Sequence, residues 1–402
     1  MIFKNVKIIS PIDNLDDILD IKIENGVITS ISKNIEGESI DLSGMIITPG
    51  LIDMHCHLRE PGFEYKETIE TGLLSAIHGG FSVICPMANT NPAVDSVETL
   101  DYINKIATKL ELAKLCQICA VSKELKGEEI TNIKGLKSAG AIAFSDDGRP
   151  VENMEILKQA LLSGELIISH AEDSKLLTDS MSEAVAVERE LQVLRKNGGR
   201  LHFAHISTKK AIDLIRQGKK EGLKVTCETA PHYFTFTKED ETLDGQFKMN
   251  PPLRTQEDLQ AVIEGLKDGT IDCIATDHAP HSYEEKTKPF AESPFGIVGF
   301  ETALGAGLKL VTDGHLPLNQ LIEKMSSNPA KILGLKDQGE IKVGQIANLT
   351  IISPNIEYEV KANDFVTKCK ISPFEGMKLK GKAVAVVANG KLINTGEILC
   401  KQ

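Results

Sequence analysis

The stretch GLIDMHCHLREPG, residues 50–62, decides the fold. Small and apolar residues run into His55, His57 and Arg59 and then stop at a Pro61-Gly62 turn. Side chains alternate across a strand, so histidines two apart point the same way. A buried strand that ends in two imidazoles and a guanidinium carries its chemistry at its carboxyl end. Seven more short apolar runs follow at intervals of roughly thirty residues: FSVICP (81–86), LCQICAV (115–121), AIAFS (141–145), ELIIS (165–169), RLHFA (200–204), KVTCE (224–228) and IDCIAT (271–276). Between them lie amphipathic helical patterns. YKETIETGLLSAIHGG (65–80) closes on Gly79-Gly80, and STKKAIDLIRQGKKEG (207–222) opens with Ser207 or Thr208 as N-cap and stops at Gly222. Eight alternating β/α units predict a (β/α)8 TIM barrel over residues 49–338, with its active site in the loops after the strands.

The chain ends have another texture. IFKNVKIIS, DIKIENGVITSIS and GMIITPG fall within residues 1–50, and GEIKVGQIANLTIIS and AVAVVANGKLIN within 339–402; all alternate apolar and polar residues, with hairpin signals at Asn25-Gly26 and Asn389-Gly390. Residues 1–48 and 339–402 are therefore expected to form one small β-sandwich domain.

The totals narrow the function. A net charge of -12 over 402 residues disfavours nucleic acid and anionic membrane as partners, since both repel it at long range. The longest apolar runs fall well short of the ~20 residues of a membrane span, and no basic segment leads an apolar one, so the expected location is cytoplasmic. Cys56, Cys85, Cys116, Cys119, Cys227, Cys273, Cys369 and Cys400 sit mostly in apolar runs and read as reduced, buried thiols. The Cys116/Cys119 pair lacks turn residues and a second pair, which argues against zinc or redox duty there.

Reading the residues just after each run gives His55 and His57, Asn89, Asp146-Asp147, His170, His205, Glu228 to His232, and Asp277, His278 and His281; only the third run supplies none. A lone HxH is more often structural than ligating. Joined by His170, His205 and Asp277 on later strand ends, it becomes a site for Zn²⁺ or a similar ion. Two ions would need a shared ligand, for which Asp147 is the candidate; no Lys lies between 141 and 148 to be carboxylated instead. A bound ion lowers the pKa of its water to about 7, which makes hydroxide the nucleophile. Asp277 can then carry the proton to a leaving nitrogen, although a carboxylate there could also serve as a helix N-cap. No GxSxG is present, and no Cys sits on a basic elbow. Arg59 offers forked donors to a carboxylate, against the plainer reading of an ion pair with Glu60 or Glu64. SPFGIVG (293–299) has the Pro and Gly content of a loop over the site. Of the other histidines, His78 reads as a helix end, His202 as facing the helices, His315 as loop, and His232 and His278 as candidate orienters.

With these residues assembled, PGLIDMHCHLREPG, NTNP, FSDDGRP, SHAED, AHIST, KMNPPLR, IATDHAPHS and PFGIVGFETA together resemble class I bacterial dihydroorotases of the amidohydrolase superfamily. The resemblance runs the whole chain, including GQIANLTII at the return into the small domain. It implies reversible cyclisation of N-carbamoyl-L-aspartate to L-dihydroorotate and water in pyrimidine synthesis, with one or two Zn²⁺ ions in a binuclear site. Carried over, His55, His57 and Asp277 would hold one ion, His170 and His205 the other, and Asp147 would bridge. Asp277 would be the general acid/base; Arg59, Asn89 and His281 would bind the substrate α-carboxylate, and Asn250 its ring or amide. A homodimer and an aspartate transcarbamoylase partner are also implied. Pro86 and Ala88 invert the usual order, and the 171–200 span is shorter than typical. The alternatives are a hydantoinase, dihydropyrimidinase or allantoinase, which usually bridge their metals with a carboxylated Lys, and an inactive scaffold for the transcarbamoylase.

Overall fold

Alternating apolar residues at the start of the chain fold into β1 (Ile2–Ser10), β2 (Leu15–Glu24), β3 (Val27–Ser32), β4 (Ile40–Asp41) and β5 (Ile46–Pro49). The structure, a computed structural model, describes residues 1–177 and 179–395; Cys400 lies outside them. Asn25 and Gly26 both take positive φ, +52° and +80°, the twist that a two-residue hairpin between β2 and β3 requires.

The buried runs then form β6 (Leu51–Cys56), β7 (Phe81–Pro86), β8 (Lys114–Leu115), β9 (Ile118–Cys119), β10 (Ala143–Phe144), β11 (Leu166–Ser169), β12 (Arg200–Phe203), β13 (Val225–Thr229) and β14 (Cys273–Ile274), every neighbouring pair parallel. β8 and β9 are halves of the third run. The ladder carries on between them, with Cys116 N–H bonded to Ile84 O and Ile142 N–H to Gln117 O, each at 2.9 Å. The ring closes where β14 meets β6: Cys56 bridges His278, Asp277 N–H bonds to His55 O at 2.9 Å, and His57 N–H bonds to His278 O at 2.7 Å. Eight strands thus make a barrel. As the sequence indicates, Gly80 at φ +94° terminates the helix Ile69–Gly79 and Thr208 caps Lys209–Lys220; the first of these helices opens on Thr68, a cap the sequence reading did not name.

Strand parity sorts the side chains. Ile52, Met54, Val83, Ile118, Ile168 and Ala204 fill the barrel, while Leu51, Ile84, Ile167, Leu201 and Phe203 pack against the helices. His202 shares the parity of Ala204, so it points into the barrel and not, as the sequence suggested, at the helices. The reason is that the large apolar Phe203 is taken up by the helical layer, and the imidazole finds polar partners inside.

The chain returns as β15 (Leu349–Glu359), β16 (Lys378–Ala388) and β17 (Lys391–Asn394). β15 pairs antiparallel with β5, which joins the two chain ends in one sheet of order β17-β16-β15-β5-β1-β2-β3, with β4 on β1. A bridge from Val27 to Ile346 curls that sheet around its own core of Phe3, Ile8, Ile47, Leu349 and Val387. The seven described cysteines are all buried and unpaired. Among the described residues no helix is long and apolar enough to cross a membrane.

Candidate metal centre

The carboxyl ends of β6, β10, β11, β12 and β14 bring six buried side chains into one cluster. Asp147 sits at its middle. Its Oδ1 lies 3.4 Å from each of His55 Nε2, His170 Nδ1 and His205 Nε2, and its Oδ2 lies 3.5 Å from His57 Nε2. The ligating atoms of His55, His57 and Asp147 all lie within 4.8 Å of one another, and so do those of Asp147, His170 and His205. Two ion-sized nests therefore share one carboxylate. Asp277 Oδ1 faces the first nest, 3.2 Å from His57 Nε2 and 3.5 Å from His55 Nε2. Asp146 turns away and accepts from the Val121 and Ser122 backbone N–H groups at 2.8 and 2.9 Å.

Each imidazole of the HxH pair is oriented from behind. His55 Nδ1 meets Glu228 Oε1 at 2.8 Å, and His57 Nδ1 meets Asn89 Oδ1 at 2.9 Å, which leaves both Nε2 atoms facing the nest. Glu228 also lies 3.3 Å from His202 Nε2, whose Nδ1 bonds to Thr226. Two ligand residues occupy the left-handed region, His205 at φ +36° and Asp277 at +49°, and so does Arg59 at +62°. Such backbone costs energy in a non-glycine residue and persists only where its surroundings hold it. At His205 the hold is Glu183, a buried carboxylate that accepts from the backbone N–H and the hydroxyl of both Ser207 and Thr208.

The electrostatics ask for a cation. Burial alone would depress the His55 imidazole, yet Asp147 and Asp277 drive it well above its ordinary value. Burial likewise opposes charge on His170, but Asp147 and Glu172 raise it to about 9. The carboxyls respond in kind: against the upward push of burial, the surrounding imidazoles bring Asp277 and Glu228 each to about 2. Among the described residues His55 Nε2 and Asp147 Oδ1 are buried without a hydrogen-bond partner although they face each other. Orphaned polar atoms aimed at a common point, with imidazole and carboxylate donors, fit a divalent ion of the zinc type.

Beside the cluster lies a cavity of about 320 Å³ lined by His57, Arg59, Asn89, Asn250, Phe295 and Gly296 among others. Arg59 Nε donates to Pro280 O at 3.1 Å, and among the described residues it makes no ion pair with Glu60 or Glu64. The Asn250 amide lies 3.2 Å from His170 Nε2 and donates to Glu172 Oε2 at 3.4 Å. His281 stands behind the wall, its Nε2 2.7 Å from Phe295 O and 3.4 Å from Arg59 Nη2. Lys66, which nothing in the sequence singled out, reaches His281 Nδ1 at 3.1 Å. His278 is a structural residue, stacked on Phe300 and bonded to Glu67, and acts on the site only through its backbone. His232 is buried against Tyr233, its Nε2 without a partner among the described residues.

The profile of the amidohydrolase family matches residues 46–393. The chain belongs to the amidohydrolase family. Within it, this amidohydrolase is 43% identical to the dihydroorotase of Acetivibrio thermocellus over 99% of its own length and 100% of that protein's, and 44% identical to the dihydroorotase of Citrifermentans bemidjiense over 98% and 99%. Among solved structures it superposes on the L-hydantoinase of Arthrobacter aurescens with a TM-score of 0.89 at 27% identity, covering 98% of this chain and 95% of that one. The dihydropyrimidinase of Brevibacillus agri, at 21% identity and a TM-score of 0.87 over 98% and 95%, shares the fold.

Proposed function

We infer that this amidohydrolase is a dihydroorotase, closing N-carbamoyl-L-aspartate to L-dihydroorotate and water and reopening it. Full-length identity to dihydroorotases supports the activity, and one observation supports the substrate: Arg59 and Lys66 put two cations beside a buried nest of imidazoles and carboxylates in a protein of net charge -12. A dianionic substrate needs that local reversal of charge. Zn²⁺ in one or two copies is part of the proposal, with His55, His57 and Asp277 at one position, His170 and His205 at the other, and Asp147 between. A bound ion of this kind supplies water ionised near neutral pH and polarises an amide carbonyl.

The chain's own residues do the rest. Asp277 uses Oδ1 toward His55 and His57, which leaves Oδ2 to take a proton from water and deliver it to the ring nitrogen as the amide opens; the same oxygen returns it on closure. Arg59 and the Asn89 amide hold the α-carboxylate, Asn250 the ring, and Phe295 and Gly296 close the wall against water. Asp147 in the shared position, where hydantoinases usually carry a carboxylated Lys, counts against the hydantoinase reading, and the full ligand set counts against an inactive scaffold. A barrel of residues 49–338 between domain halves 1–48 and 339–402, a cytoplasmic setting suited to unpaired thiols, a homodimer and a transcarbamoylase partner complete the proposal. Light scattering of the protein alone and mixed with transcarbamoylase tests the last two.

The deciding assay sets the metal-loaded protein on dihydroorotate beside hydantoin, dihydrouracil and allantoin. Turnover of dihydroorotate above the others is expected. Turnover of only the other three would overturn the assignment.

A further inference from the structure

His281 carries a hydrogen-bond pattern that determines where its proton sits. Its Nδ1 faces the Lys66 ammonium at 3.1 Å, and an ammonium has only donors. Glu285 Oε2 also lies 3.4 Å from Nδ1, farther than the ammonium, whereas Phe295 O is 2.7 Å from Nε2 and can only accept; the ring proton therefore belongs to Nε2, and Nδ1 offers its lone pair to Lys66. The ring is neutral, because burial and the cations of Arg59 and Lys66 push its pKa down to about 2. Lys66 is itself anchored by Glu285 at 3.1 Å and lies against the rings of Phe63 and Tyr65.

This leaves two donors facing one another: Arg59 Nη2 and the His281 Nε2–H are 3.4 Å apart, and neither can accept from the other. One carbonyl oxygen, that of Phe295, satisfies the imidazole, and Phe295 also forms part of the cavity wall. An anion with two oxygens would satisfy both donors at once. Gly296, next in the chain, is held where an added Cβ would come within 3.0 Å of His281 Nε2, so no side chain blocks that approach.

We propose that Lys66 is a positioning residue that locks His281 in the Nε2–H tautomer, and so fixes as a donor the ring that the family resemblance already sets against the substrate carboxylate. Lys66 touches no substrate atom; it makes His281 a donor. The recognised class is a carboxylate flanking a cyclic amide, so this inference rests on the dihydroorotase reading for the identity of the ligand but not for the tautomer.

The tests use the full chain with Lys66→Met, Lys66→Arg and Glu285→Gln. Long-range ¹⁵N–¹H spectra of the metal-free protein, with the His281 signal assigned through its loss in His281→Gln, should show Nε2–H in the wild type and in Lys66→Arg, and a shift toward Nδ1–H in Lys66→Met. In the metal-loaded enzyme, Lys66→Met should raise KM for dihydroorotate about tenfold with kcat held within about twofold, the loss of one charge-assisted contact. Lys66→Arg should restore most of it. Glu285→Gln separates the alternatives: it loosens the anchor but keeps the ammonium, so a merely structural ion pair predicts that it copies Lys66→Met, whereas the tautomer lock predicts a smaller spectral shift and a smaller rise in KM than Lys66→Met. Nε2–H persisting in Lys66→Met, or a shift in Glu285→Gln equal to that in Lys66→Met, overturns the proposal. Absence of dihydroorotate turnover in the wild type would sink the functional reading and leave the spectra to decide the tautomer.

Discussion

His55 is held at both ring nitrogens, Nδ1 by Glu228 and Nε2 by its aim at Asp147 and Asp277. Asp277 faces both histidines through Oδ1, and that asymmetry leaves its other oxygen to accept and pass on a proton. Replacing it with Asn keeps the shape and removes the base, so Asp277→Asn should lower kcat for dihydroorotate by at least about 100-fold; near-normal turnover would remove Asp277 from the mechanism. Glu190 is the opposite case, a fully buried carboxyl that burial pushes up to about 7, with Ser169 and the Arg189 cation only partly offsetting the push. An unfolded Glu titrates near about 4.3, so between the two values the folded chain holds the extra proton. Its contribution to stability is whole below about pH 4.3 and is lost as pH rises to 7, by about 3 kcal/mol. Urea midpoints of the metal-free protein should therefore show Glu190→Gln gaining on the wild type between pH 5 and pH 8. A gap that does not widen with pH contradicts the assignment.

At the scale of elements, the active surface is made by strand ends plus the struts that hold them. The helix Met181–Asn197 delivers Glu183 under the turn after β12, where it collects four donors from Ser207 and Thr208 and fixes His205 in its left-handed conformation. Glu183→Gln leaves one acceptor where two stood and adds donors with nowhere to go, so it should cost about 3 kcal/mol in urea unfolding. It should also weaken metal binding at the His170/His205 position more than at His55/His57. Equal loss at both positions would mean that the strut is general. The strands, hairpins and caps were legible because each has a local signature: Asn25-Gly26, Gly80, Thr208 and the apolar runs all read correctly. Glu183 was not legible. It lies in the first turn of a helix, where an acidic residue needs no further reason, and its partners are 24 residues or more away.

For the whole molecule, the centre is assembled from five strands that only barrel closure brings together. A bound ion stabilises the folded chain alone, so removing metal by chelation should lower Tm, and restoring free Zn²⁺ at 100 times its Kd should return about 2.7 kcal/mol. A Tm indifferent to chelator would argue against the nests holding a metal.

Composition, strand spacing and the residues after each apolar run were enough to predict the barrel, the paired chain ends and the six residues the fold gathers at one rim, because a parallel barrel sends every strand end there and makes sequence position a guide to place. The tertiary structure alone decided which way His202 turns, that Glu228 and Asn89 set the HxH tautomers, that Glu183 holds His205, and that Lys66 addresses His281. Those contacts join residues far apart in the chain through single hydrogen bonds, and a hydrogen bond between distant segments leaves no periodicity in either.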